Sequence, residues 1–180
     1  MNNNQKKDEI GNVSLDKIKE KYISWVVKVN KLKDEIKALS DLQSNPIVNA
    51  PTLSIGVFLL KSEVIEFELK QIISTFDSAI NSELTKNKYI LIRKIRYPGD
   101  LYELTLGQTI GLFCEFESKT IPDELKTDLK KLNALRNDFT HHIFNQHKSI
   151  DDLKKEACDG IKISDLILNY LNKLNEFLKK

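Results

Sequence analysis

The sequence predicts an all-α protein, an antiparallel bundle of about five to six helices. Three observations predict it. Apolar residues recur at three- and four-residue steps over most of the chain. Helix breakers are sparse, with 6 Gly and 4 Pro in 180 residues. Finally, the 41% of apolar residues includes only 8% aromatics, a composition that favours long aliphatic helices over a sheet sandwich.

Residues 1–13 are Asn- and Lys-rich without an apolar core and are expected to form a disordered lead that is neither a secretory signal nor a membrane anchor. Residues 14–180 then form one domain, long enough to bury a single core without covalent help. Ser14 is a good N-cap, and Leu15, Ile18, Tyr22, Trp25, Val29, Leu32, Ile36 and Leu39 continue one helical stripe behind it. The segment 41–50, with Asn45 and Pro46, breaks that pattern, and Pro51 suits the first turn of the next helix.

From Thr52 to about Thr85 two apolar stripes coexist, which marks a central helix covered on most sides. Tyr89 to Ile95 reads as a short helix ending at the Tyr97-Pro98-Gly99-Asp100 turn. A further helix is expected from about Leu101 to Phe116. Pro122-Asp123-Glu124 opens another, whose acidic residues sit at its positive end and whose stripe is Leu125, Leu129, Leu132, Leu135, Phe139 and Ile143. After a polar stretch from Asn145 to Ser149, a final helical region buries Ile163, Ile167, Tyr170, Leu171, Leu174 and Leu178, with Asp159-Gly160 as an expected interruption.

A formal charge of +2 is too small to announce a nucleic-acid binder by bulk electrostatics, so any such patch must be local. The most basic stretch holds Lys86, Lys88, Arg93, Lys94 and Arg96, interleaved with Tyr89 and Tyr97. It could track an RNA backbone, with an ordinary solvated face as the competing account. Cys114 and Cys158 match no redox or metal-ligand spacing, which points to reduced thiols and a cytoplasmic protein. The longest apolar run, Ile55 to Leu60, is too short to span a bilayer, so no membrane partner is expected. Gly107 and Gly111 are isolated and cradle no phosphate, and no cofactor is implied. His141, His142 and His147 lack the Cys, Asp or Glu partners that would complete a metal site.

Chemistry concentrates in Leu135-Arg136-Asn137-Asp138-Phe139-Thr140-His141-His142. On a helical wheel Arg136 lies inside the apolar stripe, where an unpaired cation is costly, so it must meet a carboxylate or reach a polar cleft. Glu63 or Glu66 on the central helix would serve as a fold-holding partner. Asn137 and His141, four residues apart, share a face of their own beside Arg136. Together the three side chains supply what metal-free phosphodiester cleavage needs. An imidazole can move a proton at the ribose 2'-hydroxyl or the leaving oxygen, a guanidinium can stabilise the phosphorane, and an amide can orient either. One histidine does half of the acid-base work, so a symmetric homodimer would complete the site.

The spacing of Arg136 and Asn137, three intervening residues and His141 resembles the signature of the HEPN superfamily, the higher eukaryote and prokaryote nucleotide-binding domains. Leu104-Thr105-Leu106-Gly107-Gln108 is also similar to a stretch that precedes the signature helix in several of its groups. The resemblance implies a helical bundle and a metal-independent endoribonuclease composite across a dimer, in a toxin-antitoxin or antiviral defence setting with an antitoxin or sensor protein as further partner. It implies Arg136, Asn137 and His141 as catalytic residues and RNA as substrate, with His142 at a permitted but less usual spacing. His142 borders the apolar stripe, where a satisfied, partly buried histidine is the competing account, and Asp138 and Thr140 beside the signature are further accessory candidates. Family toxins paired with nucleotidyltransferases carry a tyrosine two places after the histidine. Here that place is Ile143, which argues against control through such a tyrosine. The alternative is a non-catalytic helical module that binds nucleotide, RNA or a partner protein through the same face.

Overall fold

The computed structural model of the chain describes residues 20, 23, 24, 26–42, 51–86, 101–116, 121–145 and 149–178. At 51, 81–86 and 141–145 it describes the backbone course only. Five helices pack against one another, and no strand occurs among the described residues. They are α1 (26–42), α2 (Pro51–Lys86), α3 (Leu106–Cys114), α4 (Asp123–Asn145) and α5 (Ile150–Leu178). The expected lead, Trp25, the segment from Tyr89 to Ile95 and the basic residues Lys88, Arg93, Lys94 and Arg96 lie outside the described residues.

α2 is the central element. Its 36 residues give a rod about 54 Å long, and α1, α3, α4 and α5 all lie against it. Because neighbours cover it on several sides, Val57, Phe58, Val64, Ile65, Phe67, Leu69, Ile72 and Ile73 are all buried. Buried Ser62 returns its hydroxyl to the Phe58 carbonyl at 3.0 Å, which satisfies a polar group the core cannot hydrate.

Side-chain pairs fix the helix directions. Lys33 meets Glu68, and Leu39 approaches Gly56, so α1 and α2 are antiparallel. Pro122 and Leu125 at the start of α4 lie beside Tyr170, Leu174 and Phe177 at the end of α5, so this pair is antiparallel as well. α2 and α5, which share the most extensive contact, run parallel: Ser54 lies by Cys158, Lys61 pairs with Asp165, and Glu68 accepts from Asn175. Two intervening helices, α3 and α4, carry the chain back to the start of α2. The pairs α1–α2 and α4–α5 thus run antiparallel, while the main seam is parallel.

Two sequence expectations are corrected. The helix expected from Leu101 is interrupted: residues 101 and 102 make a helical turn, and Thr105 then caps a new helix from Leu106. Thr105 and Gln108 form a reciprocal capping box, the Gln108 side chain accepting from the Thr105 amide at 3.0 Å. Conversely, Gly160 does not interrupt α5, which is continuous from Ile150 to Leu178. It is a point of close approach of α5 to α2, and a Cβ there would overlap the Phe58 ring. That ring also packs against Phe139, with centroids 5.4 Å apart and the planes tilted.

Candidate functional site

Arg136 reaches α2 through its guanidinium. α4 is set in place by Leu125, Leu129, Leu132 and Phe139, all buried, and Arg136 lies between the last two of these on the flank facing α2. Nη2 donates to Glu63 Oε1 at 2.5 Å, and Nη1 stands 3.8 Å from Glu66 Oε2. The Arg136 side chain is 24% exposed, Glu63 39% and Glu66 10%, so the arginine head lies at the edge of the seam, between core and solvent. An arginine placed in an apolar stripe has therefore found the acids that its position required.

The acids are themselves tied inward. Glu66 Oε1 accepts from Lys70 Nζ at 2.7 Å, one turn along α2. The Lys70 side chain is 1% exposed, and it also donates to the carbonyls of Leu104 at 2.7 Å and Tyr102 at 3.4 Å. A buried ammonium costs several kcal/mol unless it is paired and hydrogen-bonded, and here one carboxylate and two carbonyls meet it. The carbonyls of Tyr102 and Leu104 can face Lys70 because the chain leaves helical geometry between Tyr102 and Thr105, so the interruption before α3 and the burial of Lys70 explain each other. Glu63, Glu66 and Lys70 follow at steps of three and four, on one face of α2. Among the described residues two cations and two carboxylates thus alternate as Glu63, Arg136, Glu66 and Lys70.

Asn137 and Asp138 are exposed beyond the arginine. Thr140 is exposed too, with its hydroxyl turned back to the Asn137 carbonyl at 2.9 Å. The α4 backbone continues through 141 and 142, so position 141 lies one turn after Asn137 on the same face, while the side chains of His141 and His142 lie outside what is described. Arg136 is thus joined to α2, Asn137 is presented to solvent, and the basic stretch from Lys88 to Arg96 has no described relation to either.

The chain matches no family model, no curated protein and no solved structure. The site's geometry is accordingly the argument for its chemistry. Among the described residues no cluster of His, Cys, Asp or Glu could hold a metal ion, and no helix is long and apolar enough to cross a membrane. An open groove of about 330 Å³, lined by Pro122, Leu125, Tyr170, Lys173, Leu174 and Phe177, lies at the other end of α4. Leu125 is about 16 Å along the helix from Arg136, so this groove is separate from the polar site. Both cysteines are free thiols. Burial pushes the Cys114 thiol above its ordinary range, an effect that Lys130 and Lys126 partly offset.

Sequence reasoning missed Lys70. Its signal was nonetheless present: a lysine four residues after Glu66, inside a helix apolar on most sides, has no exposed face to occupy.

Proposed function

We propose that the protein is a metal-independent endoribonuclease of the HEPN type, active as a homodimer. Arg136 stabilises the phosphorane, His141 moves the proton at the ribose 2'-hydroxyl or the leaving oxygen, and Asn137 orients the phosphate or the imidazole. The observation that carries this reading is the state of Arg136. Its guanidinium is held by Glu63 at 2.5 Å at the solvent edge of a seam, with the exposed amide of Asn137 next in the helix. A preorganised cation beside a polar face suits a developing phosphorane charge, because the cost of ordering it is met before substrate arrives. Two copies brought together along this face of α4 would supply the second acid-base group that one histidine lacks. A toxin or antiviral role, with an antitoxin or sensor as partner, belongs to the same proposal.

The close Arg136–Glu63 contact also favours a second reading, in which Arg136 is a fold-holding ion pair and nothing more. Cleavage of total RNA in EDTA, comparing wild type with His141→Ala, separates the two. The ribonuclease reading expects cutting by wild type alone, with 2',3'-cyclic phosphate ends. Equal cutting by both proteins refutes the assigned mechanism. RNA binding without cutting by the folded wild-type dimer leaves a binding module.

A further inference from the structure

We propose that buried Lys70 is a positioning residue for Arg136. By engaging Glu66, it keeps the guanidinium forward on Glu63, at the exposed edge of the α2–α4 seam. This inference rests on the ribonuclease reading of Arg136 for its consequence in catalysis. Its geometric part stands on the row of charges alone.

The argument begins with Glu66, whose carboxylate lies between two cations. Lys70 takes Oε1 at a hydrogen-bonding 2.7 Å, while Arg136 Nη1 remains 3.8 Å from Oε2, an ion-pair distance rather than a hydrogen bond. The better contact of Arg136 is with Glu63, which is four times as exposed as Glu66. A carboxylate that is 10% exposed has a strong demand for a cationic partner, and Lys70 meets it. Without that ammonium the remaining cation paired with Glu66 among the described residues is Arg136, so Glu66 would draw the guanidinium inward, away from Glu63 and from the face that carries Asn137. Lys70 is itself fixed, because its other donors are committed to the carbonyls of Leu104 and Tyr102 in the interruption ahead of α3. The stretch Leu104 to Gln108 thereby gains a physical task. Its break exposes the carbonyls that anchor Lys70, and its capping box restarts the helix immediately afterwards.

The test uses the full chain with arginine labelled for detection of the guanidinium Nε–H resonances. Only Arg93, Arg96 and Arg136 contribute, so single substitutions assign each signal. Lys70→Met is expected to move the Arg136 resonance and to lower kcat on RNA on the order of tenfold or more, with KM little changed, because a small misplacement of a charge-stabilising group acts on the transition state. Glu66→Gln, which removes the inward pull and leaves Arg136 on Glu63, is expected to keep the Arg136 signal near its wild-type position. The double variant Lys70→Met with Glu66→Gln is expected to recover much of both signal and rate, since the uncharged amide no longer pulls. A purely structural role would also be relieved by removing the stranded carboxylate, so the discriminating readout is the displaced Arg136 resonance together with a lowered kcat at unchanged KM in folded Lys70→Met protein. The proposal is overturned if the Arg136 resonance in a folded Lys70→Met protein matches wild type, or if the double variant is no better than the single one. If Lys70→Met does not fold, Glu66→Gln decides, and a displaced Arg136 signal there would assign the holding role to Glu66 and refute the proposal. Absence of RNA cleavage by wild type defeats the ribonuclease reading instead, and the resonance comparison still decides whether Lys70 positions Arg136.

Discussion

Toward α5, helix α2 presents small and apolar side chains in close apposition; toward α4, it presents a row of charges. On the α5 side Ser54, Phe58 and Ser62 are buried on α2, and Ala157, Gly160, Ser164 and Ile167 are buried on α5. Ser62 and Ser164 send their hydroxyls to carbonyls four residues back in their own helices, so neither asks anything of the neighbour. On the α4 side Glu63 and Glu66 reach across to Arg136, and Lys70 reaches to the carbonyls before α3. The two seams divide the labour of one helix. Shape holds the buried middle of the parallel pair, with Lys61–Asp165 and Asn175–Glu68 as polar links at its rim, whereas the charged seam toward α4 holds a guanidinium between core and solvent and costs desolvation to do so. A candidate site belongs on the second kind of surface, where stability has been exchanged for a held charge.

The apolar seam should break most severely at Gly160. The fully buried Phe58 ring lies against both Gly160 and Phe139, so a side chain at 160 forces the ring to move within a packed core. Gly160→Val is expected to destabilise the protein by about 3 kcal/mol in urea denaturation. The gain of about 1 kcal/mol that removal of a helical glycine brings elsewhere does not offset this. Adding Phe58→Leu should recover part of the loss, because the two positions share one space. If Gly160→Val is neutral, shape does not hold this seam.

At the charged seam the effect on stability should be smaller. Removing one partner of a fully buried pair costs about 3–5 kcal/mol, but Glu63 is partly solvated and Glu66 keeps Lys70. Arg136→Ala is therefore expected to cost about 1–2 kcal/mol once solvent screening is allowed for, while RNA cleavage by the proposed enzyme falls to background. A loss as large as that at Gly160, in a protein whose wild type does not cut RNA, would show that the two seams differ in chemistry but not in purpose.

The two seams were also unequally legible in the sequence. Arg136 inside an apolar stripe demanded a carboxylate, and Glu63 and Glu66 were identifiable because a helix apolar on most sides had to be central. The α2 boundaries followed from Pro51 and from an unbroken apolar period. The interruption before α3 was hidden because Leu101 and Leu104 continue that period, although Thr105 and Gln108 carry the spacing of a capping box. Gly160 read as a break because glycine is a poor helix former, and only the neighbouring Phe58 reveals it as a point of close approach. The parallel sense of α2 and α5 was beyond local pattern altogether, since it depends on how α3 and α4 return the chain.

The free thiols offer the gentlest comparison of the two sides. Cys158 lies in the apolar seam, its Sγ 4.0 Å from Ser54 Oγ, whereas Cys114 ends α3 within the field of Lys130 and Lys126 on α4. Burial disfavours the Cys114 thiolate, and the two lysines favour it. In a Cys158→Ser background, thiolate absorbance should therefore titrate at higher pH in the folded protein than in the denatured chain. The sign for stability follows by linkage. The raised thiol contributes fully below the unfolded value, and its contribution is lost as pH climbs through the folded one, so Cys114→Ala should flatten the alkaline decline. Added salt screens the lysines but not the burial, so it should raise the folded titration point further. A titration point that falls with salt would mean that carboxylates, not Lys126 and Lys130, dominate the field at the start of α4.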